Sequence, residues 1–149
     1  MNADLRGLKH KELTEGIIGV FYEVYNELGH GFLESVYENA FDLALTSKGF
    51  EVLRPIEVPV WFRGQRVGSF EADVLVNKCV LLELKATRAL DSAHEAQLLN
   101  YLRATEIEVG LLFNFRVKPE FRRLVFENSR KQVQRIGEIS IAALLKPKD

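Results

Sequence analysis

The most apolar stretch of the chain carries two charges. Glu83 and Lys85 interrupt Cys79-Val80-Leu81-Leu82-Glu83-Leu84-Lys85. Two residues apart on a strand, they point to one face. Removing a carboxylate and an ammonium from water costs several kcal/mol per ion in order of magnitude unless both find partners. One reading is a same-face ion pair at an exposed sheet edge. The other is chemistry. A second carboxylate, Asp73, stands one predicted strand earlier in Phe70-Glu71-Ala72-Asp73-Val74-Leu75-Val76. Carboxylates converging from adjacent strands beside a lysine offer oxygen ligands to a hard divalent cation, for which Mg2+ is suited and Mn2+ is a substitute. The lysine would orient or help deprotonate an attacking water and offset charge on a phosphate.

That convergence depends on register. If Asn77-Lys78 alone closed the hairpin, Ala72 would oppose Glu83 and Asp73 would point to the other side of the sheet. A three-residue loop, Asn77-Lys78-Cys79, or a bulge is therefore expected.

Further polar groups fall on predicted helices. Gln97 and Tyr101 are four apart, with His94 three before Gln97, so all three share a face that could hold a phosphate or a nucleobase. A plain amphipathic helix with its polar face in water would look the same. Glu34 stands in the first turn of another helix, where an acidic residue also suits the helix dipole. Gly31 before it suits a tight turn, and His30 has no assigned role.

The elements that position these residues follow from periodicity. Ile17, Phe21, Val24, Tyr25 and Leu28 make one helical stripe ended by Gly29. A second helix is expected from about Leu33 to Lys48, with Val36, Tyr37, Ala40, Phe41 and Ala44 inward and Gly49 at its end. Strands are expected at Phe50–Arg54, Glu57–Phe62, Val67–Val76 and Cys79–Lys85, the last a central strand covered on both faces. Pro55 and Pro59 place the early strands at an edge or split them, and Arg63-Gly64-Gln65 reads as a turn. Ser92 with Glu95 suggests a capping box opening a helix over Ser92–Thr105, with Leu98, Leu99 and Leu102 on the core. Strands at Val109–Phe115 and Leu124–Phe126 and a helix near Ile139–Leu145 complete a mixed α/β chain.

At 149 residues, with 47% hydrophobic and 28% charged residues, one domain with an ordinary core is expected. The one cysteine, Cys79, allows neither an intrachain disulfide nor a thiolate zinc cluster. No apolar run suggests a secretory leader or a membrane span, so a cytoplasmic protein is expected. Charge is uneven: residues 1–115 hold 11 Lys/Arg against 17 Asp/Glu, net −6, and residues 116–149 hold 9 against 4, net +5. Arg116, Lys118, Arg122, Arg123, Arg130, Lys131 and Arg135 carry that excess, either as a solvated surface or as a phosphate-contacting patch.

The order Gly31-x-x-Glu34-x-x-Tyr37, Asp73, Glu83-x-Lys85, Gln97-x-x-x-Tyr101 resembles the GxxExxY protein family, a branch of the PD-(D/E)xK nuclease-like superfamily. LGHGFLESVYENAF and HEAQLLNYLRAT extend the likeness over about residues 12–127, leaving 128–149 as a basic extension of a single domain. The motif order also resembles RecB-type nuclease domains. The resemblance implies a restriction-endonuclease-like core, a central mixed β-sheet flanked by helices. It implies Asp73, Glu83 and the Leu84 backbone carbonyl as metal ligands and Lys85 as the catalytic lysine. Glu34 would complete the site from its helix, directly or through water, and Gln97 and Tyr101 would position substrate or brace the site. Tyr37 could be packing or chemistry.

The leading functional reading is a Mg2+-dependent nuclease acting on DNA more than RNA. The alternative is a nucleic-acid- or protein-binding module that keeps the fold without turnover. A homodimer would suit a domain this small on a duplex.

Overall fold

A computed structural model describes residues 10–131 of the chain. The expected helix near Ile139–Leu145 and the basic Arg135 lie outside the described residues.

Two helices open the fold. α1 (Lys11–Leu28) buries Ile17, Phe21 and Val24 of the expected stripe, with Val20 added and Tyr25 and Leu28 only partly buried, and ends at Gly29 with φ 69°. α2 (Glu34–Ser47) buries Tyr37, Phe41 and Leu45. Val36 is exposed and Leu45 is buried, a correction to the expected inner face. The buried positions keep strict i, i+4 spacing, which turns Val36 off the stripe. Gly31, with φ 104° between the helices, holds a backbone conformation that L side chains rarely adopt.

Seven strands follow: β1 (Val52–Leu53), β2 (Ile56–Phe62), β3 (Gln65–Ala72), β4 (Val74–Val76), β5 (Val80–Lys85), β6 (Val109–Asn114) and β7 (Glu120–Val125). Helix α3 (Ser92–Ala104) lies between β5 and β6. The main sheet has the order β1-β4-β5-β6-β7, with β5 and β6 parallel and every other pair antiparallel. α3 is the crossover that a parallel pair requires. β2 and β3 form a separate two-stranded hairpin closed at Arg63-Gly64. Pro55 sits where the chain leaves one sheet for the other.

The expected strand Val67–Val76 is two strands broken at Asp73. At the break the Asp73 carboxylate takes the N–H of Leu84, eleven residues on, at 2.8 Å, a bond that competes with regular ladder pairing. β7 starts four residues before the expected Leu124, because Glu120-Phe121-Arg122-Arg123 makes a polar, half-buried edge.

The sheet is covered on both faces, as expected for β5. Val80, Leu82, Leu84, Leu111 and Phe113 pack against α1 and α2, where Phe21 and Phe113 meet with ring centroids 4.5 Å apart. Leu75, Leu81 and Leu112 pack against α3 and the hairpin. A side chain at Gly110 would meet Leu98 of α3 at 2.9 Å, so glycine allows this close helix–sheet approach. Among the described residues no helix is long and apolar enough to cross a membrane.

Candidate active site

The turn between β4 and β5 decides the site. Val76 pairs with Val80, so Asn77, Lys78 and Cys79 form the expected three-residue loop. Asn77 and Lys78 have φ of 51° and 55°, and Asn77 is clamped to Glu51 by Asn77 N–H→O (2.9 Å) and Glu51 N–H→Oδ1 (2.8 Å). The register Val74↔Leu82 and Leu75↔Leu81, extended by one residue, sets Asp73 opposite Glu83. Glu83, two residues after Leu81, falls with it on the α3 face of the sheet, which Lys85 shares by its spacing, and Asp73, at the break before β4, also lines a cavity with Glu38 and Asp42 of α2.

Bonds lock the pair. The Asp73 N–H donates to Glu83 Oε1 at 3.2 Å, and the Leu84 N–H donates to Asp73 Oδ2 at 2.8 Å. Glu83 is only 4% exposed. Burial pushes its carboxyl up to about 8, the negative charge of Asp73 adds to the rise, and the Asp73 N–H and Lys85 oppose it. Burial raises Asp73 as well; the Leu84 N–H and Lys85 lower it, and the charge of Glu34 raises it. Negative charge is thus concentrated where water is scarce, the condition that marks functional carboxylates.

Two elements bring further groups. Glu34, in the first turn of α2, is exposed, and its charge is felt at Asp73 and Glu38. Sequence reasoning missed Glu38. Its carboxyl is raised by burial and by the charge of Asp73, with Arg54 opposing. Its signal was the i, i+4 spacing from Glu34, which puts both on one helical face. Glu38, Asp42, Arg54, Glu71 and Asp73 line a cavity of about 470 Å³. Arg54 bridges to Asp42 at 2.7 Å on its wall.

From α3 comes Tyr101, 6% exposed and stacked on Phe70 with centroids 3.8 Å apart and planes 7° apart. Burial pushes its hydroxyl up to about 12, the charges of Glu83 and Asp73 contribute, and a hydrogen bond with Gln97 opposes. Gln97 and Tyr101 are thus joined by a hydrogen bond and line one cavity. His94 does not join them. The helix is capped by Asp91, which accepts from the N–H groups of Ala93 and His94, while His94 Nδ1 accepts from the Asp91 N–H at 3.1 Å. The expected Ser92–Glu95 capping box is thus displaced by one residue, because Asp91 and His94 satisfy the same reciprocal pattern.

Tyr37 belongs to packing. It is fully buried, stacks on Phe115 at 4.0 Å, donates from its hydroxyl to the Gly29 carbonyl at 2.6 Å and accepts from the Phe32 N–H at 3.3 Å. It ties down the turn that carries Gly31 and presents Glu34. His30 is exposed. Several basic residues of the last third have partners within the fold. Arg116 and Arg122 pair with Glu120 at 3.3 Å each, Arg130 lies over Phe126, and Lys131 Nζ donates to the Thr105 and Ile107 carbonyls. Those four side chains are thus engaged within the fold, Lys131 as a buried one.

Asp73, Glu83 and a main-chain carbonyl are hard oxygen donors, and their burial raises the very carboxyls that a cation would relieve, so the donor set fits a divalent metal. Among the described residues no three His, Cys, Asp or Glu side chains are grouped as a ready-made metal cluster.

Comparison with known proteins bears on the fold and the family. No curated protein matches the sequence. Among solved structures, the chain is similar to the crystal structure of SSO0001, with a TM-score of 0.50, 17% identity, and coverage of 62% of this chain and 50% of that one. The chain thus spans about half the length of that protein, and the likeness is one of fold. The model of the PD-(D/E)XK nuclease superfamily matches residues 11–124. That match runs from the first residue of α1 into β7, through every element that builds the carboxylate pair, and by it the chain belongs to the PD-(D/E)XK nuclease superfamily.

Proposed function

We propose that this chain is a divalent-metal-dependent nuclease that hydrolyses phosphodiester bonds, in DNA more than in RNA. Its superfamily suggests nuclease activity and generally uses divalent metals. The observation that carries the reading is Asp73 opposite Glu83 across β4 and β5, in the register set by the three-residue loop.

A cavity walled by carboxylates repels a phosphodiester unless positive charge is supplied. Mg2+, or Mn2+ in its place, would be held by Asp73, Glu83 and the Leu84 carbonyl, with Glu34 directly or through water. Bound there, it would polarise the phosphodiester and offset the charge of the pentavalent state. Lys85 orients the attacking water and stabilises negative charge on the phosphate oxygens. Gln97 and Tyr101 hold the substrate strand against the carboxylate pair. Within the superfamily we assign the chain to the GxxExxY branch; the roles of Gly31 in the turn, Glu34 beside the site and Tyr37 beneath it support that assignment.

The test is cleavage of plasmid, linear duplex, single-stranded DNA and RNA in Mg2+, Mn2+ or EDTA, with Glu83→Gln and Lys85→Ala proteins alongside. Metal-dependent cleavage lost in both variants is expected. Equal cleavage by the variants, or none on any substrate, would turn the reading to a binding module that keeps the fold.

A further inference from the structure

Next to the carboxylate pair, the β2–β3 hairpin and α3 enclose a second cavity, of about 450 Å³. It is different in kind from the acidic one. Trp61 and Phe70 supply flat aromatic surface from the hairpin, and Gln97, Asn100 and Arg103 supply polar groups from α3. Tyr101 lines this cavity: its ring stacks on Phe70, it packs in one cluster with Leu81, two residues before Glu83, and the charges of Glu83 and Asp73 reach its hydroxyl. Trp61 is 38% exposed, unusual for the largest apolar side chain on a short hairpin, and Phe62 beside it is 55% exposed. The Arg103 guanidinium rests over the Phe126 ring at 5.2 Å.

We propose that this cavity takes one unpaired nucleobase of the substrate strand, so that the protein prefers single-stranded or frayed nucleic acid to continuous duplex. The proposal rests on the nuclease reading and names its substrate class. Three features argue for a base as the occupant. Aromatic faces stack on any base without regard to sequence. The Gln97 and Asn100 amides each carry both donors and an acceptor, which suits the edge of a base better than a purely apolar ligand. Tyr101, packed in one cluster with Leu81 of the strand that carries Glu83, sets the cavity close to the carboxylates that would handle the backbone of the same strand. A base stacked and paired inside a duplex cannot enter such a cavity without being extruded.

Trp61 is the only tryptophan, so its fluorescence reports on the cavity directly. Glu83→Gln protein in EDTA, where cleavage cannot interfere, would be titrated with short oligo-dT, oligo-dA, oligo-U and a blunt hairpin duplex. Quenching by the single strands is expected, with affinity at least about ten-fold above that for the duplex. Adding Asn100→Ala should weaken single-strand binding several-fold while leaving the melting temperature unchanged, since Asn100 is exposed. Absence of quenching, equal affinity for duplex, or unaltered binding after Asn100→Ala would each overturn the proposal. Cleavage of the same single strands and of plasmid by the wild type in Mg2+ separates the two readings. Cleavage without single-strand quenching removes the cavity's role alone. Quenching without cleavage removes the nuclease reading and keeps the cavity as a nucleobase site.

Discussion

Asp73 and Glu83 hold each other through the main chain: the N–H of Asp73 donates to the Glu83 carboxylate, and the Asp73 carboxylate accepts from the N–H of Leu84. Each acidic side chain is thereby aimed by the strand that carries the other. Glutamine at 83 keeps an oxygen for the Asp73 N–H and removes the charge. Glu83→Gln should therefore fold as the wild type does. If Glu83 holds the cation, the loss is several kcal/mol of transition-state stabilisation, so cleavage should fall by about a thousand-fold or more. Circular dichroism and a cleavage time course check both halves. A folded variant with wild-type cleavage would exclude Glu83 from the chemistry.

The same burial makes the metal-free protein sensitive to alkali. The folded-state carboxyl of Glu83 is raised from 4.5 to about 8, and that of Asp73 is raised too. A raised carboxyl contributes stability that is fully present below the unfolded value and is lost as pH climbs through the folded one. The slope for one such group reaches about 1.4 kcal/mol per pH unit between those limits. In EDTA, the melting temperature should fall as pH rises from about 4.5 to about 8, and Glu83→Gln should flatten the fall. Mg2+ should restore stability at the upper end. A flat profile for the wild type would contradict the assigned burial.

Lys85 is the cation whose charge lowers both carboxyls. Lys85→Ala should reduce cleavage by about a hundred-fold or more, in the range expected for a lost proton-handling group. It should leave Mn2+ binding, followed by calorimetry, within a few-fold of wild type. A loss confined to metal affinity would make Lys85 a brace for the carboxylates and not a participant.

Tyr37 provides the contrast. Phe at 37 keeps the stack on Phe115 but leaves the Gly29 carbonyl and the Phe32 N–H without the hydroxyl. Tyr37→Phe should cost about 1–2 kcal/mol, measured by denaturant unfolding. Cleavage by the folded fraction should stay near wild type. A large loss of turnover at unchanged stability would move Tyr37 from packing into the site.

Much of the site was legible because strands obey parity. Once Asp73 and Glu83 were required on one face, the loop length followed, and Val76 opposite Val80 is the outcome. Gln97 and Tyr101 were legible from their four-residue spacing. What escaped was decided by competition between equivalent local solutions or by distant packing. Asp91 and His94 took the cap that Ser92 and Glu95 could also have made. The break at Asp73 depends on an N–H eleven residues away. The separation of the β2–β3 hairpin from the main sheet, and with it the aromatic cavity, depends on where α3 docks, which no periodicity within the hairpin encodes.

The loop Asn77-Lys78-Cys79 makes the protein unusually intolerant of changes in chain length. Substitutions there alter a surface turn. Deleting one residue would reverse the parity of β4, turning Val74 toward α3 and taking Asp73 out of register with Glu83. Counting, as much as chemistry, is what this loop protects, and an insertion or deletion there would act on the site like removal of a carboxylate.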